Sequence, residues 1–431
     1  MSTRLIAAVV MVLATIVAEA AVSVSNVVCT QRYPWNGKVD IDYEVFADNP
    51  DADVWVYATG FDKDANVSMG MRTLSGDGVD APVKPGLHRM TWDVTSDYPN
   101  FRSSAFTVKM TALTGGMPYM VIDLSGGVDA HSYPVSYLSS IPNGEWSDEY
   151  KTTKLVLRLI PPGTFMMGSP TDELGHNGGY GRESIHKVTI TKPFYIGIFE
   201  ITQKQWQLVM GTTPSEFKGD ARPVEKVSYN MIRGSVNGAA WPTHNQVDAN
   251  SFMGRLRSKV NMLFDLPTEA QWEYACRAGT STALNSGKNL TGIETCNNMA
   301  EVGRYNGNKK DGKGGYSEHT KVGSYIPNAW GLYDMHGNVA EWSCDWYQQD
   351  LGFSEAIDPK GHKNGVLSDL ADRNYRRVVR GGSFDYGYYG SFGHAGNCRS
   401  ASRVYTMENP KSISGTERAG WGFRLACYPV E

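Results

Sequence analysis

From Ala21 to about Leu113 apolar and polar positions take turns along the chain. Val39, Ile41, Tyr43 and Val45 lie between Asp40, Asp42 and Glu44, and Phe106, Val108 and Met110 alternate in the same way. A period of two sends one set of side chains to each face of an extended segment, so these runs predict half-buried strands. Turn formers separate them at Asn36-Gly37, at Ser75-Gly76-Asp77-Gly78 and at Lys84-Pro85-Gly86. No helical period of useful length intervenes, and residues 21–113 are predicted to form an all-β, immunoglobulin-like sandwich. Residues 114–154 are rich in Gly, Ser, Pro and Tyr, which suits a linker or peripheral strands, with the boundary near Tyr150.

The pattern changes in residues 155–431. A strand is predicted over Leu155 to Ile160, ended by Pro161-Pro162-Gly163. Thr202 is followed three residues on by Gln205, and Thr268 by Gln271. Each pair is a capping box, in which two otherwise orphaned amide donors are satisfied reciprocally at a helix start. The first helix is predicted to stop at Gly211 and the second at Gly279, the second presenting Trp272, Ala275 and Cys276 at core spacing. Elsewhere loops dominate, with Trp330, Trp342, Trp346, Phe384 and Trp421 as aromatic anchors.

The extreme N-terminus reads differently again. Arg4 precedes the apolar run Leu5 to Val17, and Ala18-Glu19-Ala20 supplies a small-x-small cleavage pattern, so residues 1–20 are expected to be a signal peptide cut after Ala20. The alternative, a membrane anchor, needs about 20 apolar residues, more than this run has. Cys29, preceded by Asn26-Val27-Val28, lacks the small residues of a lipid-attachment site. Export to a periplasmic or extracellular, disulfide-permissive compartment is the expectation, with no membrane span left in the mature chain.

Composition narrows the function classes. A chain of 431 residues has room for two or three domains, and 41% hydrophobic with 20% charged residues is ordinary globular composition. The 41 Lys and Arg residues against 45 Asp and Glu leave a net charge of −4, so no field favours nucleic acid. The 46 glycines, 23 tyrosines and 11 tryptophans favour a loop-rich fold pinned by aromatics. The nine histidines make neither His-Glu-x-x-His nor His-x-x-x-His, and Gly312-Lys313-Gly314-Gly315 follows no apolar strand, so zinc hydrolysis and a phosphate loop both lack a motif. No coiled-coil stripe is present, and a monomer is the default.

Several blocks carry a family resemblance. They are Pro162-Gly163-Thr164-Phe165-Met166-Met167-Gly168, Phe194-Tyr195-Ile196-Gly197 with Glu200-Ile201-Thr202, and Arg222-Pro223-Val224-Glu225-Lys226-Val227-Ser228. Leu266 to Ala275, Gly331 to Trp342, Arg380-Gly381-Gly382-Ser383-Phe384 and Gly422-Phe423-Arg424 follow in order. Residues 155–431 thus resemble the formylglycine-generating enzymes, the sulfatase-modifying factors. The resemblance implies an α+β, C-type-lectin-like domain with little regular secondary structure.

It also implies a chemistry that this chain departs from. The family oxidises a sulfatase cysteine to formylglycine with O2 and a Cu(I) ion held by two cysteines, soft ligands suited to that ion. Here Tyr386 stands where the first would be, and no cysteine occurs between Ser383 and Cys398, which lies too late to be either ligand. Copper is therefore not expected, and Ser383, Tyr386 and His394 remain the candidates for any residual catalysis. Asp334, Gly337, Val339 and Glu341 match a calcium site of the family, two carboxylates supplementing two backbone carbonyls; the alternative is a loop knitted by hydrogen bonds alone. A second calcium site would use Asn298, Met299 and Tyr316, but Gly314 stands where its aspartate should be.

The same resemblance implies a disulfide from Cys276 to a partner near Ser400, which points to Cys398, with Cys427 as the rival. It places an extended-peptide groove beside the Gly-Gly-Ser block, which Phe384, Tyr386, Tyr388, Tyr389 and Phe392 would line unless they only pack the loop. Two functions stay open. One is an exported non-catalytic module binding a peptide, glycan or protein; the other is an oxidoreductase of the formylglycine-generating superfamily with an altered metal site.

Overall fold

The alternation in Lys38–Ala47 is realised residue by residue. Val39, Ile41, Tyr43 and Val45 are buried, while Asp40, Asp42 and Glu44 point to the half-exposed face. The structure is a computed structural model that describes residues 22–34, 36–65, 67–79, 81–114, 117–179, 182–260, 262–308, 318–348, 350–361, 377–385, 393–405 and 420–427. The expected signal peptide lies outside these residues, as do Tyr316, Tyr386, Tyr388, Tyr389 and Phe392.

Lys38–Ala47 pairs antiparallel with Val22–Gln31 on one side and Gly86–Asp93 on the other, and Leu74–Gly76 completes the sheet. A second sheet joins Val67–Met69, Val54–Asp62 and Phe106–Thr114, also antiparallel. Inner residues of both sheets form one core around Trp92, which stacks on Phe106 at 5.3 Å and donates its indole N–H to Asp97 Oδ2 at 2.7 Å. The outward charges pair across strands, Arg89 with Asp42 at 2.6 Å and Arg32 with Asp40 at 2.8 Å.

The larger unit is built on a six-stranded antiparallel sheet. Its order is Phe264–Asp265, Ala426–Cys427, Phe194–Gly197, Lys154–Ile160, Tyr119–Asp123 and Val135–Leu138. Residues 114–154 thus contribute two strands at its edge. Tyr119 to Ile122 are all buried because the sheet is covered on both faces. Met120 and Ile122 pack with helices Gln203–Met210 and Phe252–Val260, whereas Tyr119 and Val121 pack on the side of helix Glu269–Arg277. The mixed α/β character follows, with strands Ala340–Trp346 and Arg377–Arg380 at the centre of a further four-stranded sheet.

Both capping boxes form. Thr202 Oγ1 accepts from Gln205 N at 3.3 Å while Gln205 Oε1 accepts from Thr202 N at 2.9 Å, and Thr268 with Gln271 gives 3.2 and 2.9 Å. The first helix ends at Gly211 as expected, with φ +75°. The second is capped one residue earlier than expected, at Ala278 with φ +44°. Gly279 serves a different need. A Cβ there would sit 2.6 Å from Thr59 Cγ2, so the glycine permits close approach between the larger unit and the two-sheet unit. Arg158 joins the same contact, its guanidinium 5.9 Å from the Tyr57 ring and 4.7 Å from that of Tyr119.

The expected disulfide is not formed: Cys276 and Cys398 are not bonded to each other. Cys276 Sγ faces Ser400 Oγ at 3.6 Å, so the residue opposite it is the serine and not Cys398, two positions away. Cys398 lies instead behind Gly382, and the rival Cys427 sits in the central sheet opposite Tyr195 and Phe264.

Asp345 lies at the start of helix Glu269–Arg277, where its Oδ2 accepts from Glu269 N at 2.8 Å. Burial, and then the charge of Glu269, pushes its carboxyl up to about 7. A carboxyl raised in the folded state contributes stability that is fully present below its unfolded value and is lost as pH rises through the folded one. Stability should therefore fall between pH about 4 and about 7. Asp345→Asn keeps an acceptor for Glu269 N without the charge, and should stabilise the protein at pH 8 by about 2 to 4 kcal/mol. Urea unfolding of both proteins at pH 5 and pH 8 checks this, the gain being larger at the higher pH.

Candidate functional site

The site is assembled where two glycine-rich blocks meet. Gly337 N donates to Gly381 O at 2.8 Å, Phe384 N to Asn338 O at 2.9 Å, and Ala340 N to Gly420 O at 2.7 Å. These bonds tie the 334–341 turn to the Gly381-Gly382-Ser383-Phe384 turn and to the strand leading into Arg424. Gly337 has φ +77°, and a Cβ on it would lie 2.1 Å from Arg304 O, so the chain closes only with glycine there. Asp334 and Asn338 also take left-handed conformations, φ +57° and +56°, which bends the turn on itself.

A buried cluster of acids lies beneath the turn. Glu341 is held by Arg424, Nε and Nη2 each at 2.6 Å, and by the Trp272 indole N–H at 2.7 Å. Glu200 accepts from Asn338 Nδ2 at 2.6 Å and from Val339 N at 3.0 Å. Asp334 Oδ2 accepts from Gly323 N at 2.6 Å, but Asp334 Oδ1 is buried with no partner. Burial, reinforced by Asp334 and Glu341, pushes the Glu200 carboxyl well up. Burial also lifts Asp334 to about 6, with Glu341 adding to the rise and Arg424 and the Gly323 amide opposing it. Three carboxyl groups thus gather around one buried guanidinium, with Lys151 acting on Asp334 as well, an imbalance that a cation would relieve.

Of the expected calcium ligands, Asp334, Gly337 and Val339 lie in the turn and Glu341 at the start of the strand that follows it, and Asp334 Oδ1 is the one oxygen among their carboxylates without a partner, a hard donor of the kind calcium takes. Glu341 is committed to Arg424 and Trp272, so Asp334 carries the open oxygen. Among the described residues no group of three or more His, Cys, Asp or Glu side chains has metal-binding geometry, so such a site would depend on backbone carbonyls. Glu200 was not singled out from the sequence, although it belongs to the quoted Glu200-Ile201-Thr202 block; only the fold places it under Val339.

Of the other expected calcium set, two members fall within the described residues. Asn298 Nδ2 donates to Asn289 O at 2.8 Å, and Met299 O accepts from Gly303 N at 3.1 Å at the end of helix Asn297–Val302. The third member, Tyr316, lies outside the described residues.

Ser383 is buried rather than presented. Its Oγ donates to Asp385 O and accepts from Asp385 N, each at 3.3 Å, and a Cβ on Gly420 would come within 3.0 Å of it. Cys398 stands directly behind, its Sγ 2.6 Å from where a Cβ of Gly382 would be. Burial pushes its thiol up to about 12, with a bond to the Ser383 backbone opposing, so in the absence of a metal it is a protonated core residue. His394 precedes the turn Ala395–Cys398, half-buried. Phe384 is buried in a corner with Phe217 and His319, and the other expected groove residues lie outside the described residues.

Residues 145–428 match the family model described as the sulfatase-modifying factor enzyme 1-like domain. A formylglycine-generating enzyme from Bos taurus is 24% identical over 297 residues, 60% of this chain and 72% of that protein. The chaperone protein LppX of Paenibacillus barcinonensis is 35% identical over 182 residues, 36% of this chain and 62% of its own length. Among solved structures, Treponema denticola variable protein 1 is 27% identical, covering 64% of this chain and 96% of that one at a TM-score of 0.47. With the family model spanning 145–428, this chain belongs to the family of the sulfatase-modifying factor enzyme 1-like domain.

Proposed function

We propose that the protein is an exported, non-catalytic member of its family, a calcium-stabilised module that binds a peptide, glycan or protein beside the Ser383-Phe384 turn. The observation that carries this reading is the state of the sulfur ligands. No cysteine occurs between Ser383 and Asn397, and the one that follows, Cys398, is buried with its thiol pushed up to about 12. Two accessible thiolates are what a Cu(I) site requires. That one relative is named a chaperone is consistent with binding as a use of this domain.

Calcium belongs to the same proposal. Asp334 Oδ1 and the carbonyls of Gly337 and Val339 would hold it, and the ion would neutralise the surplus charge of Glu200 and Asp334. The two-sheet unit is proposed to be an immunoglobulin-like sandwich and the larger unit to be lectin-like. Export rests on the pattern of residues 1–20. No helix among the described residues is long and apolar enough to cross a membrane.

A Cu(I) titration tests the reading at its foundation. No stoichiometric binding is expected. Tight binding of one equivalent, lost in Tyr386→Phe or His394→Ala, would overturn it in favour of an oxidoreductase with an altered metal site.

A further inference from the structure

Beneath Phe384 lies a pair of polar side chains with unused hydrogen-bonding groups. His319 and Glu225 have fully buried side chains, and His319 Nε2 is 3.7 Å from Glu225 Oε1, beyond hydrogen-bond range. Glu225 Oε1 already accepts from Glu216 N at 2.5 Å and Phe217 N at 3.0 Å, but its Oε2 has no partner. Neither ring nitrogen of His319 has one. Such groups are costly to bury unpaired, and a neutral imidazole always carries one N–H donor.

The ring is wedged between two phenyl rings, edge-on to Phe217 at 5.7 Å and to Phe384 at 5.3 Å, and those two meet each other at 5.6 Å. The planes stand at 87° and 89° to His319, so the three rings form a corner in which displacement of one must move the others. The backbone on either side of His319 is tethered. Arg222 Nη1 donates to His319 O at 3.0 Å, and Thr320 N donates to Asn338 Oδ1 at 2.9 Å. The side chain can therefore shift while its backbone stays fixed to the 334–341 turn.

We propose that Glu225 and His319 form a pH-responsive switch under the binding turn: proton uptake by His319 draws the imidazole onto the free oxygen of Glu225 and away from Phe384, loosening the aromatic floor in acid. The step moves one proton from solvent to the imidazole and replaces an unfilled contact by a charge-assisted hydrogen bond of about 2.7 to 2.9 Å. The charges facing the ring are few. Glu225 favours the proton, while Arg222 opposes it and Glu318 favours it, and these two are paired with each other at 2.9 Å. Glu216 and Lys226, on the neighbouring loops, pair with each other at 3.7 Å, and Asp385, next to Phe384, is tied through its backbone to Ser383. Burial lowers the pKa of His319, so protonation falls on the acid side of its ordinary value.

The switch acts on the proposed binding turn and so rests on that reading, but its test needs no ligand, so the failure of one is distinguishable from the failure of the other. The full chain is labelled with fluorophenylalanine, and the Phe217 and Phe384 resonances are assigned from Phe217→Leu and Phe384→Leu. Between pH 8 and pH 5 both should shift together, with one midpoint below about 6.5. The shift should vanish in His319→Gln, and in Glu225→Gln, where the acceptor loses its charge, the midpoint should move to lower pH. Flat resonances in the parent protein, a titration that survives in His319→Gln, or an unmoved midpoint in Glu225→Gln would each overturn it.

Discussion

Replacing Arg424 by methionine is expected to cost about 3 to 5 kcal/mol, enough to unfold much of the population of a marginally stable protein. Arg424 is fully buried, and besides its paired bonds to Glu341 it donates to Gly197 O at 2.9 Å and Tyr333 O at 3.0 Å. It thereby links the central sheet to the start of the 334–341 turn. Methionine fills similar volume but leaves Glu341 without its paired cation and only Lys151 acting on Asp334, and a charge stranded in the interior costs more than its pairing gained. The double variant Arg424→Met with Glu341→Gln should recover part of the loss, because glutamine still accepts from the Trp272 indole without the stranded charge. Denaturant unfolding of the parent, single and double variants measures this. A single variant that loses less than about 1 kcal/mol would show that the carboxylates are compensated elsewhere.

The second large effect concerns calcium. Ligand binding to the folded state alone stabilises by about 2.7 kcal/mol at a concentration one hundred times Kd, which for a unit of this size raises Tm by about 5 to 10 °C. Addition of calcium to chelator-treated protein should produce such a rise, and Asp334→Asn should abolish it. The variant has a second signature that a merely damaging substitution lacks. Without calcium, Asp334→Asn should be at least as stable as the parent at pH 8, because it removes a carboxylate whose Oδ1 is buried without a partner beside two others. Equal calcium stabilisation of parent and variant would remove Asp334 from the ligand set.

What could be read from the chain was what local spacing dictates. The alternation in Lys38–Ala47 has one residue per face, and the Thr-x-x-Gln boxes at Thr202 and Thr268 need only residues three apart, so both follow from the backbone alone. The motif turns at 334–341 and 380–384 were recognisable as blocks, but their partners were not. Glu200 reaches Val339, and Glu225 approaches His319, through contacts between segments far apart in sequence. Trp272 was legible as a core residue, yet its donation to Glu341 depends on how its helix meets Ala340–Trp346.

The disulfide expectation failed for a related reason. Residues 395–403 form a short turn and irregular backbone, where a two-residue offset is not an equivalent face as it would be in a strand, and Ser400 rather than Cys398 meets Cys276. The early end of helix Glu269–Arg277 has a tertiary cause as well. Gly279 is reserved for its approach to Thr59, and the left-handed cap falls on Ala278.

The central claim is that this family member binds without oxidising. It is tested most directly by mass spectrometry of a Cys-x-Pro-x-Arg peptide incubated with the protein, Cu(I), reductant and O2, alongside an active formylglycine-generating enzyme. An unchanged cysteine is expected in the presence of this protein and formylglycine in the parallel reaction. Conversion by this protein would contradict it and would mean that the chain assembles a copper site without the paired thiolates.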